Sequence, residues 1–263
     1  MSSPFQSVPA VINWKVVPGS LTKIEAASKD TVWGLDGQDR AYCLTQGKFD
    51  YVADNRKIIS ISCGESGVWA VDDKGTVLYR EGVSPSELKG SSWTAIENIP
   101  AEYDAVIQVD VAEKGHVCVV TKLHHILCRG QVDTLNPKGV SWDIKVGKLS
   151  RLSCGGFGCW GVGARGRNVW FKISLEQSNK WRWEKVKDVP MSTVKVGDDG
   201  SVWAINGNGY LFARQGVSLS NAQGNSWIRV SLSKQFQDVT MAGGVLFGVS
   251  TTGAVYECEL KIV

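Results

Sequence analysis

Residues 68–93 read VWAVDDKGTVLYREGVSPSELKGSSW, and residues 202–227 read VWAINGNGYLFARQGVSLSNAQGNSW. Each stretch passes from a short apolar run through a turn of Asp, Asn and Gly into a second apolar run, and then into a loop that closes on Trp. A third copy of the loop, RGQVDTLNPKGVSW at residues 129–142, ends on the same Gly-x-Ser-Trp. Such recurrence indicates one supersecondary unit that is repeated along the chain.

Six copies of the unit emerge when its aromatic positions are followed outward. The first position opens each copy: Trp14, Phe49, Trp93, Trp142, Trp183 and Trp227. The second position lies in a later apolar run: Trp33, Trp69, Cys118, Trp160, Trp203 and Phe247. We call each such set of equivalent positions a column. The third column lies in the next apolar run: Tyr42, Tyr79, Cys128, Trp170, Phe212 and Tyr256.

Each copy is predicted to form four strands. Two apolar runs split by an Asp/Asn/Gly turn are typical of a hairpin, and alternating runs such as IISIS (58–62) and WTAIENI (93–99) add a strand on either side. We therefore predict an all-β fold, a six-bladed β-propeller of four-stranded antiparallel blades, in which residues 1–263 form a single domain. The strand that begins at Trp14 has no hairpin before it, so we expect this N-terminal strand to close the last blade.

Charge and length patterns argue against several classes of partner. The net charge is +3, from 29 basic and 26 acidic side chains with no long run of one sign, which gives no reason to expect nucleic acid. No apolar stretch reaches membrane-spanning length, so membrane insertion is not expected. The N-terminal residues do not resemble a secretory leader. We therefore expect a cytoplasmic protein, and unconventional export to the cell surface stays open.

Seven cysteines, an odd number, favour a reducing compartment over a disulfide framework. Cys118 and Cys128 occupy aromatic columns, so they are interpreted as small core residues, and Cys154 and Cys159 likewise. A metal site is the alternative, because HVCVVTKLHHILC (116–128) gathers histidines and cysteines. Its spacing matches no structural zinc pattern, so we predict no metal and no cofactor.

No enzymatic motif is present in the sequence. GxSxG, HExxH and the Walker loop are all absent. The paired carboxylates Asp72–Asp73 and Asp198–Asp199 lie in turn-forming stretches, where solvated turns are the simpler interpretation. We therefore expect a protein that is not an enzyme.

The repeat VWAVDDKGTVLYREGVSPSELKGSSW resembles the tectonin repeat, found in tectonins of slime moulds and fungi, in fish egg lectins and in a horseshoe-crab lectin. The similarity covers nearly the whole chain, with departures in three copies. The first runs from Arg40 to Phe49 without a long loop, the third has Cys118 for Trp, and the fourth has Lys172 for Arg. The resemblance implies a multivalent lectin of innate defence that binds bacterial lipopolysaccharide or O-methylated sugars.

The candidate carbohydrate-binding residues follow from this resemblance. Sugars offer C–H faces to aromatic rings and hydroxyls to polar groups, and repeated weak sites gain avidity. The candidates in the two best copies are expected near one rim of a blade: Trp69, Asp72, Tyr79, Arg80, Trp203, Asn206, Asn208, Phe212 and Arg214. Trp33, Arg129 and Trp160 are candidates in other copies. The implied partners are glycans on bacterial, nematode or cell surfaces, and a homo-oligomer is left open.

Structural interpretations stand beside these assignments. The mid-strand residues Trp33, Trp69, Trp160 and Trp203 also fit a core between blades. The opening tryptophans also fit a role in fastening the outer strand, and the recurring arginines fit an ion pair or a bond to loop carbonyls. The alternative function is an intracellular propeller scaffold for protein–protein interactions.

Overall fold

The computed structural model describes residues 13–112, 115–173, 183–187, 189–230 and 233–260. Over these ranges, 24 strands form six four-stranded antiparallel sheets, the blades of a propeller, and this confirms the predicted fold class. Each blade is given with its strands from the innermost to the outermost. Blade 1 contains β2 (Lys23–Ala26), β3 (Val32–Leu35), β4 (Ala41–Thr45) and β5 (Lys48–Tyr51). Blade 2 contains β6 (Ile58–Gly64), β7 (Gly67–Asp72), β8 (Val77–Arg80) and β9 (Trp93–Ile96). Blade 3 contains β10 (Val106–Val111), β11 (Val117–Thr121), β12 (Ile126–Gly130) and β13 (Ser141–Lys145).

The second half of the ring repeats this order. Blade 4 contains β14 (Leu149–Gly155), β15 (Gly158–Gly163), β16 (Val169–Lys172) and β17 (Glu184–Lys185). Blade 5 contains β18 (Met191–Val196), β19 (Val202–Asn206), β20 (Leu211–Gln215) and β21 (Ser226–Arg229). Blade 6 contains β22 (Phe236–Ala242), β23 (Val245–Ser250), β24 (Ala254–Glu259) and β1 (Lys15–Ser20). A short 3₁₀ turn spans Ala101–Tyr103, and no helix among the described residues has the length and apolar character needed to cross a membrane.

The ring closes as the sequence predicts. β1 pairs antiparallel with β24, with Val16 opposite Tyr256 and Val17 opposite Val255. The N-terminal strand therefore supplies the outermost strand of blade 6, and the edge of β24 is covered.

The two ends of each blade carry different connections. Because neighbouring strands are antiparallel, successive connections alternate between the ends. The long loops of the repeat, such as residues 81–92, lie at one end, here called the loop face. The turns between second and third strands, such as residues 73–76, lie at the other end together with the links between blades; we call this the turn face.

Two layers of mostly polar side chains line the central channel. The layer nearer the turn face consists of Lys23, Ser60, Gln108, Arg151, Thr193 and Asp238. The layer nearer the loop face consists of Glu25, Ser62, Asp110, Ser153, Lys195 and Thr240. Most of these positions supply an oxygen that accepts a hydrogen bond from the innermost strand of the next blade.

At the seam between blades 2 and 3, Ser60 Oγ accepts from the N–H of Val109 at 3.2 Å. At the closing seam between blades 6 and 1, Asp238 Oδ2 accepts from the N–H of Ile24 at 3.0 Å. These bonds satisfy backbone groups that would otherwise be buried and unpaired, so they fix the register of one blade against the next.

Apolar side chains fill the seams outside the channel. The second-column tryptophans Trp33, Trp69, Trp160 and Trp203 are 0–1% exposed. Each packs toward the following blade: Trp33 meets Trp93 edge to face at 6.2 Å between ring centroids, and Trp160 meets Trp227 at 5.9 Å. The 3/4 seam, between blades 3 and 4, has Cys118 at this position, where other seams have an aromatic residue.

The third aromatic column combines two structural positions, and this corrects the sequence alignment. Trp69 pairs with Tyr79, whereas Trp160 pairs with Phe171 and not with Trp170. Because adjacent side chains of a strand point to opposite faces, Trp170 points the other way and packs against blade 3. The same displacement applies to Tyr42, Phe212 and Tyr256.

The structure also corrects the interpretation of four cysteines. Cys118–Cys128 joins β11 to β12, and Cys154–Cys159 joins β14 to β15, each pair lying directly opposite in the strand register. The odd count arises because three further cysteines are buried thiols: Cys43, Cys63 and Cys258. Disulfides persist in oxidising surroundings, so these pairs do not support the expected reducing compartment. The cytoplasmic location itself stays a prediction.

Candidate functional site

Two clefts open between blades on the turn face. The 3/4 cleft, about 570 Å³, is lined by Leu123, His124, Gly147, Lys148, Leu149, Gly163, Ala164, Arg165, Trp170 and Trp183. The 6/1 cleft, about 430 Å³, is lined by Gly19, Ser20, Leu21, Thr22, Asp36, Gly37, Gln38, Arg40, Tyr42, Phe49, Gln237, Thr251, Thr252 and Gly253. Both volumes are in the range that a mono- or disaccharide can enter.

The two clefts are built from the same positions of the repeat. The floor is Leu149 in one and Leu21 in the other, and each lies two residues before the first channel residue of its blade, Arg151 or Lys23. The aromatic wall is Trp170 in one and Tyr42 in the other. The register of the outer strands likewise makes Trp183 equivalent to Phe49. The sites are therefore a property of the repeated unit.

The 3/4 cleft presents two half-buried indole rings beside basic groups. Trp183 Nε1 donates to the carbonyl of Val146 at 2.9 Å, which fixes that ring across the mouth of the seam. Lys148 Nζ donates to the carbonyl of Leu123 at 3.2 Å, and Arg165 is exposed on the turn that follows β15.

The 6/1 cleft contains a charge pair that is satisfied internally. Arg40 Nε donates to Asp36 Oδ2 at 2.7 Å, and its Nη2 donates to Gln38 Oε1 at 3.1 Å. Burial of Asp36 opposes ionisation, but hydrogen bonds from Arg40, Gln38 and Tyr42 outweigh it and lower the pKa of this carboxyl. Burial and the neighbouring Asp36 raise the pKa of Tyr42, so its hydroxyl is a neutral donor.

The second-column tryptophans do not form part of either cleft. Trp33, Trp69, Trp160 and Trp203 are enclosed between blades and offer no ring face to a ligand. Trp69 Nε1 donates to the carbonyl of Ser66 at 3.2 Å, and Trp203 Nε1 to Ser201 Oγ at 2.8 Å. Their burial agrees with the core interpretation for all four, and their assignment as sugar contacts stays an untested prediction.

The predicted turn residues act as caps. Asp72 Oδ1 accepts from the N–H groups of Lys74 and Thr76 at 3.0 and 2.8 Å. Asn206 Oδ1 does the same for Asn208 and Tyr210, both at 3.0 Å. These bonds are typical of Asx turns. The Asn208 side chain is exposed on the turn face, outside the two clefts.

The recurring arginines lie on the opposite face. Arg80 Nε donates to the carbonyl of Lys89 at 2.7 Å, and its guanidinium stacks 5.1 Å from the Trp93 ring. Four residues of β-strand, about 13 Å, separate Asp72 from Arg80 along the hairpin. The expectation that both residues share one rim is therefore wrong. Arg129 and Arg214 repeat the arrangement with loop carbonyls at 2.8 and 2.9 Å.

Tyr79 and Phe212, which were also predicted to contact sugar, pack into the seams between blades. Tyr79 packs edge to face on Trp69 at 5.4 Å, with Lys138 Nζ 5.6 Å from its ring. Phe212 packs against blade 4 at the position equivalent to Trp170. Neither residue lines the two clefts.

The sequence did not assign the residues that line the 3/4 cleft. Trp170 and Trp183 were recognised as repeat positions but not as site residues, and Lys148 and Arg165 were not recognised. The signal that identifies Trp170 is its place in the chain, one residue before Phe171, which is the residue that pairs with Trp160. No group of three or more His, Cys, Asp or Glu within the described ranges is arranged to hold a metal ion.

Solved structures of similar architecture support the fold alone. The chain aligns with a luciferin-regenerating enzyme at a TM-score of 0.64 and 10% identity, over 94% of each chain. It aligns with YCF48 bound to D1 peptide at a TM-score of 0.59 and 13% identity, over 97% of this chain and 98% of the other.

Two sequence relatives and a family match are more specific. Fish-egg lectin of Cyprinus carpio is 32% identical over 117 residues, 43% of this chain and 49% of the lectin. A tectonin beta-propeller repeat-containing protein of Drosophila melanogaster is 27% identical over 103 residues, 37% of this chain and 8% of that protein. The matched stretch thus spans about half of the lectin and a small part of the fly protein. The Tectonin domain matches residues 7–107 and 97–251. With the repeat, the propeller and this match in agreement, the chain belongs to the Tectonin domain family.

Proposed function

We propose that the protein is a multivalent lectin that binds glycans in the clefts between blades on its turn face, and that it binds without catalysis. The observation that carries the proposal is the pair of equivalent clefts, each with a half-buried aromatic wall and polar groups at its mouth. The name of the fish-egg lectin and membership of the family support the same function.

The chemistry of the clefts suits a sugar ring. A pyranose packs its C–H face on an aromatic ring and directs its hydroxyls to donors and acceptors at the edge. In the 6/1 cleft, Tyr42 supplies the ring, while Thr251, Thr252 and Gln237 supply neutral polar groups. In the 3/4 cleft, Trp170 and Trp183 supply the rings.

The biological ligands proposed are glycans on bacterial, nematode or cell surfaces, with lipopolysaccharide and O-methylated sugars as the first to test, and a role in innate defence. A methyl ether adds apolar surface, and an aromatic wall can cover that surface. Two or more weak sites on one face bind a dense glycan surface with an effective affinity well above that of one site.

The test is a glycan array probed with the native chain and with the variants Trp170→Leu and Tyr42→Leu. Leu78 and Leu127 occupy the equivalent position in blades 2 and 3, so leucine is a residue that this fold already accepts there. We expect each variant to lose retention about tenfold while its unfolding midpoint stays near that of the native chain. Asn208→Ala, an exposed change on the same face, is the matched control.

Two results would contradict the lectin proposal. One is a folded native chain that no glycan on a broad array retains. The other is retention that both leucine variants leave unchanged, since binding would then occur outside these clefts.

A protein scaffold is the second candidate function, and one observation favours it. Blade 3 exposes apolar side chains on its loop and outer edge, with Leu135 95% and Val146 71% exposed. A scaffold would hold its protein partner through these residues. Leu135→Glu, which lies outside both clefts, would then abolish co-purification of that partner and leave glycan retention intact, whereas a lectin without such a partner has no co-purifying protein to lose.

A further inference from the structure

The 3/4 and 6/1 clefts share one architecture but differ in charge. In the 3/4 cleft, Lys148, Arg165 and His124 line the walls, and none of the described lining residues is acidic. Lys185 stands opposite Trp170 across β16 and β17, so it projects to the same side of the sheet. The 6/1 cleft instead includes Asp36 and Arg40.

The basic groups of the 3/4 cleft have N–H donors available for a ligand. Lys148 has three N–H donors, and one of them is used by the carbonyl of Leu123. Arg165 makes no hydrogen bond or ion pair with any other described residue, so its five donors face solvent at the cleft mouth. The one acid of the outer strand of blade 3, Asp143 in β13, is paired with Lys145 at 3.7 Å.

A single position of the repeat explains why the acid is missing. The turn after the second strand begins with Asp36 in blade 1 and with Asp72 in blade 2, each capping its own turn. Blade 4 has Gly163 at this position. A Cβ on Gly163 would lie 2.8 Å from Trp170 Nε1, so the glycine makes room for the larger ring. The carboxylate and the cap are lost together.

The basic group of the 6/1 cleft, in contrast, is neutralised. Arg40 forms its ion pair with Asp36 and donates to Gln38. Gln38 occupies the position of Arg165, so a neutral amide stands at one mouth where a cation stands at the other. A cleft whose basic group is already paired with an acid gains little binding free energy from a charged ligand. Guanidinium and ammonium groups without an acidic partner, in contrast, bind carboxylate or phosphate strongly.

We infer that the 3/4 cleft is selective for an anionic sugar, one that carries a carboxylate or a phosphate, and that the 6/1 cleft takes a neutral one. The inference rests on the proposed lectin function and specifies its ligands. Trp170 and Trp183 hold the sugar ring, and Arg165 and Lys148 bind the acidic substituent.

The experiment uses a glycan array in which each sugar appears as a neutral parent, as its uronic acid and as its phosphate ester. It is probed with the native chain and with Arg165→Ala, Lys148→Ala and the matched control Arg167→Ala, an exposed arginine on the same turn that does not line the cleft. We expect Arg165→Ala to lower retention on acidic sugars about tenfold and to leave neutral sugars unchanged. Arg167→Ala should change neither.

Comparison of the uronic acid and phosphate arms distinguishes the two sources of negative charge. Retention on one arm or on both supports the inference, provided that Arg165→Ala removes it. Retention on neutral sugars alone overturns the inference and leaves the lectin proposal standing. Retention on no sugar overturns the lectin proposal itself.

Equal losses for Arg165→Ala and Arg167→Ala, or competition by free inorganic phosphate equal to that by the sugar phosphate, would indicate general charge attraction and overturn the inference.

Discussion

Arg80, Arg129 and Arg214 recur because each holds a long loop in place. In each case Nε donates to a loop carbonyl nine residues further on, at 2.7, 2.8 and 2.9 Å. The guanidinium also stacks on the tryptophan that opens the next strand. The structure of the loop is therefore sufficient to account for the recurrence of arginine in the sequence.

Arg214→Ala is expected to lower the free energy of unfolding by about 2–3 kcal/mol, because a buried charge-assisted bond and a cation–π contact are both lost. Urea unfolding measures the effect, and Asn208→Ala should stay within about 0.5 kcal/mol of the native chain. At matched folded concentration, Arg214→Ala should retain glycans normally. A variant with native stability and lost retention would instead restore the arginine to the binding site.

Asp110 makes stability depend on pH near neutrality. Burial raises its pKa to about 7, against the effect of hydrogen bonds from Cys154 and Ser153. The unfolded chain releases this proton near its ordinary value of about 3.9. Glu25 and Lys195, the other ionisable members of the same channel layer, pair with each other.

The folded state therefore holds a proton that the unfolded state has lost between about pH 4 and pH 7. The contribution of Asp110 to the free energy of unfolding is therefore greatest below that range. It falls as pH rises through the range, by roughly 1.4 kcal/mol per pH unit at most. Asp110→Asn keeps an oxygen for the N–H of Cys154 and removes the titration. We expect the pH dependence of its urea midpoint to be flatter than that of the native chain between pH 5 and pH 8. Identical slopes would refute the assignment.

At the scale of the strand, the sequence predicts elements well and faces less well. The hairpins could be located because Asp, Asn and Gly interrupt the apolar runs at residues such as Asp72 and Gly75. Trp170 was aligned with Tyr79, although Phe171 is the residue that occupies that position. A shift of one residue reverses the face of a strand. Because the clefts depend on that face and on links such as Lys148, they could not be derived from spacing.

The two cross-strand disulfides are the element-scale feature most open to measurement. Each closes a short loop, for which chain entropy gives about 2–3 kcal/mol. Only free thiols react with an alkylating reagent. Unfolding in urea without reductant, followed by alkylation and mass spectrometry, should label Cys43, Cys63 and Cys258 and leave the other four unlabelled.

Reductant should then lower the unfolding midpoint of the native chain. A variant with Cys118→Ala and Cys128→Ala should begin from a lower midpoint and lose less on reduction. Seven alkylated cysteines without reductant would show that the pairs do not form.

For the whole molecule, closure of the ring depends on β1. Its pairing with β24 covers the edge of blade 6, and Val17 packs into the core between blades 6 and 1 beside Phe49 and Phe247. The channel bonds of Asp238 and Thr240 join the same two blades from the inside. The closing seam is thus held at both its inner and outer edges.

Removal of residues 1–20 should expose the edge of β24 and an apolar surface, so we expect broadened thermal unfolding and association of chains. Differential scanning calorimetry and size-exclusion chromatography measure the two effects. Removal of residues 1–12 leaves β1 intact and serves as the control. If the shorter chain eluted and unfolded like the full one, closure by β1 would contribute little.

The 3/4 and 6/1 clefts are three seams apart in a ring of six, so they lie diametrically opposite and open on the same face. With the specificities proposed above, an extended surface that displays an acidic and a neutral sugar within the footprint of one propeller would occupy both clefts together. A surface with one kind of sugar would fill only one of them. The ring would in this way respond to the combination of residues on a cell wall, and a target could escape by losing either.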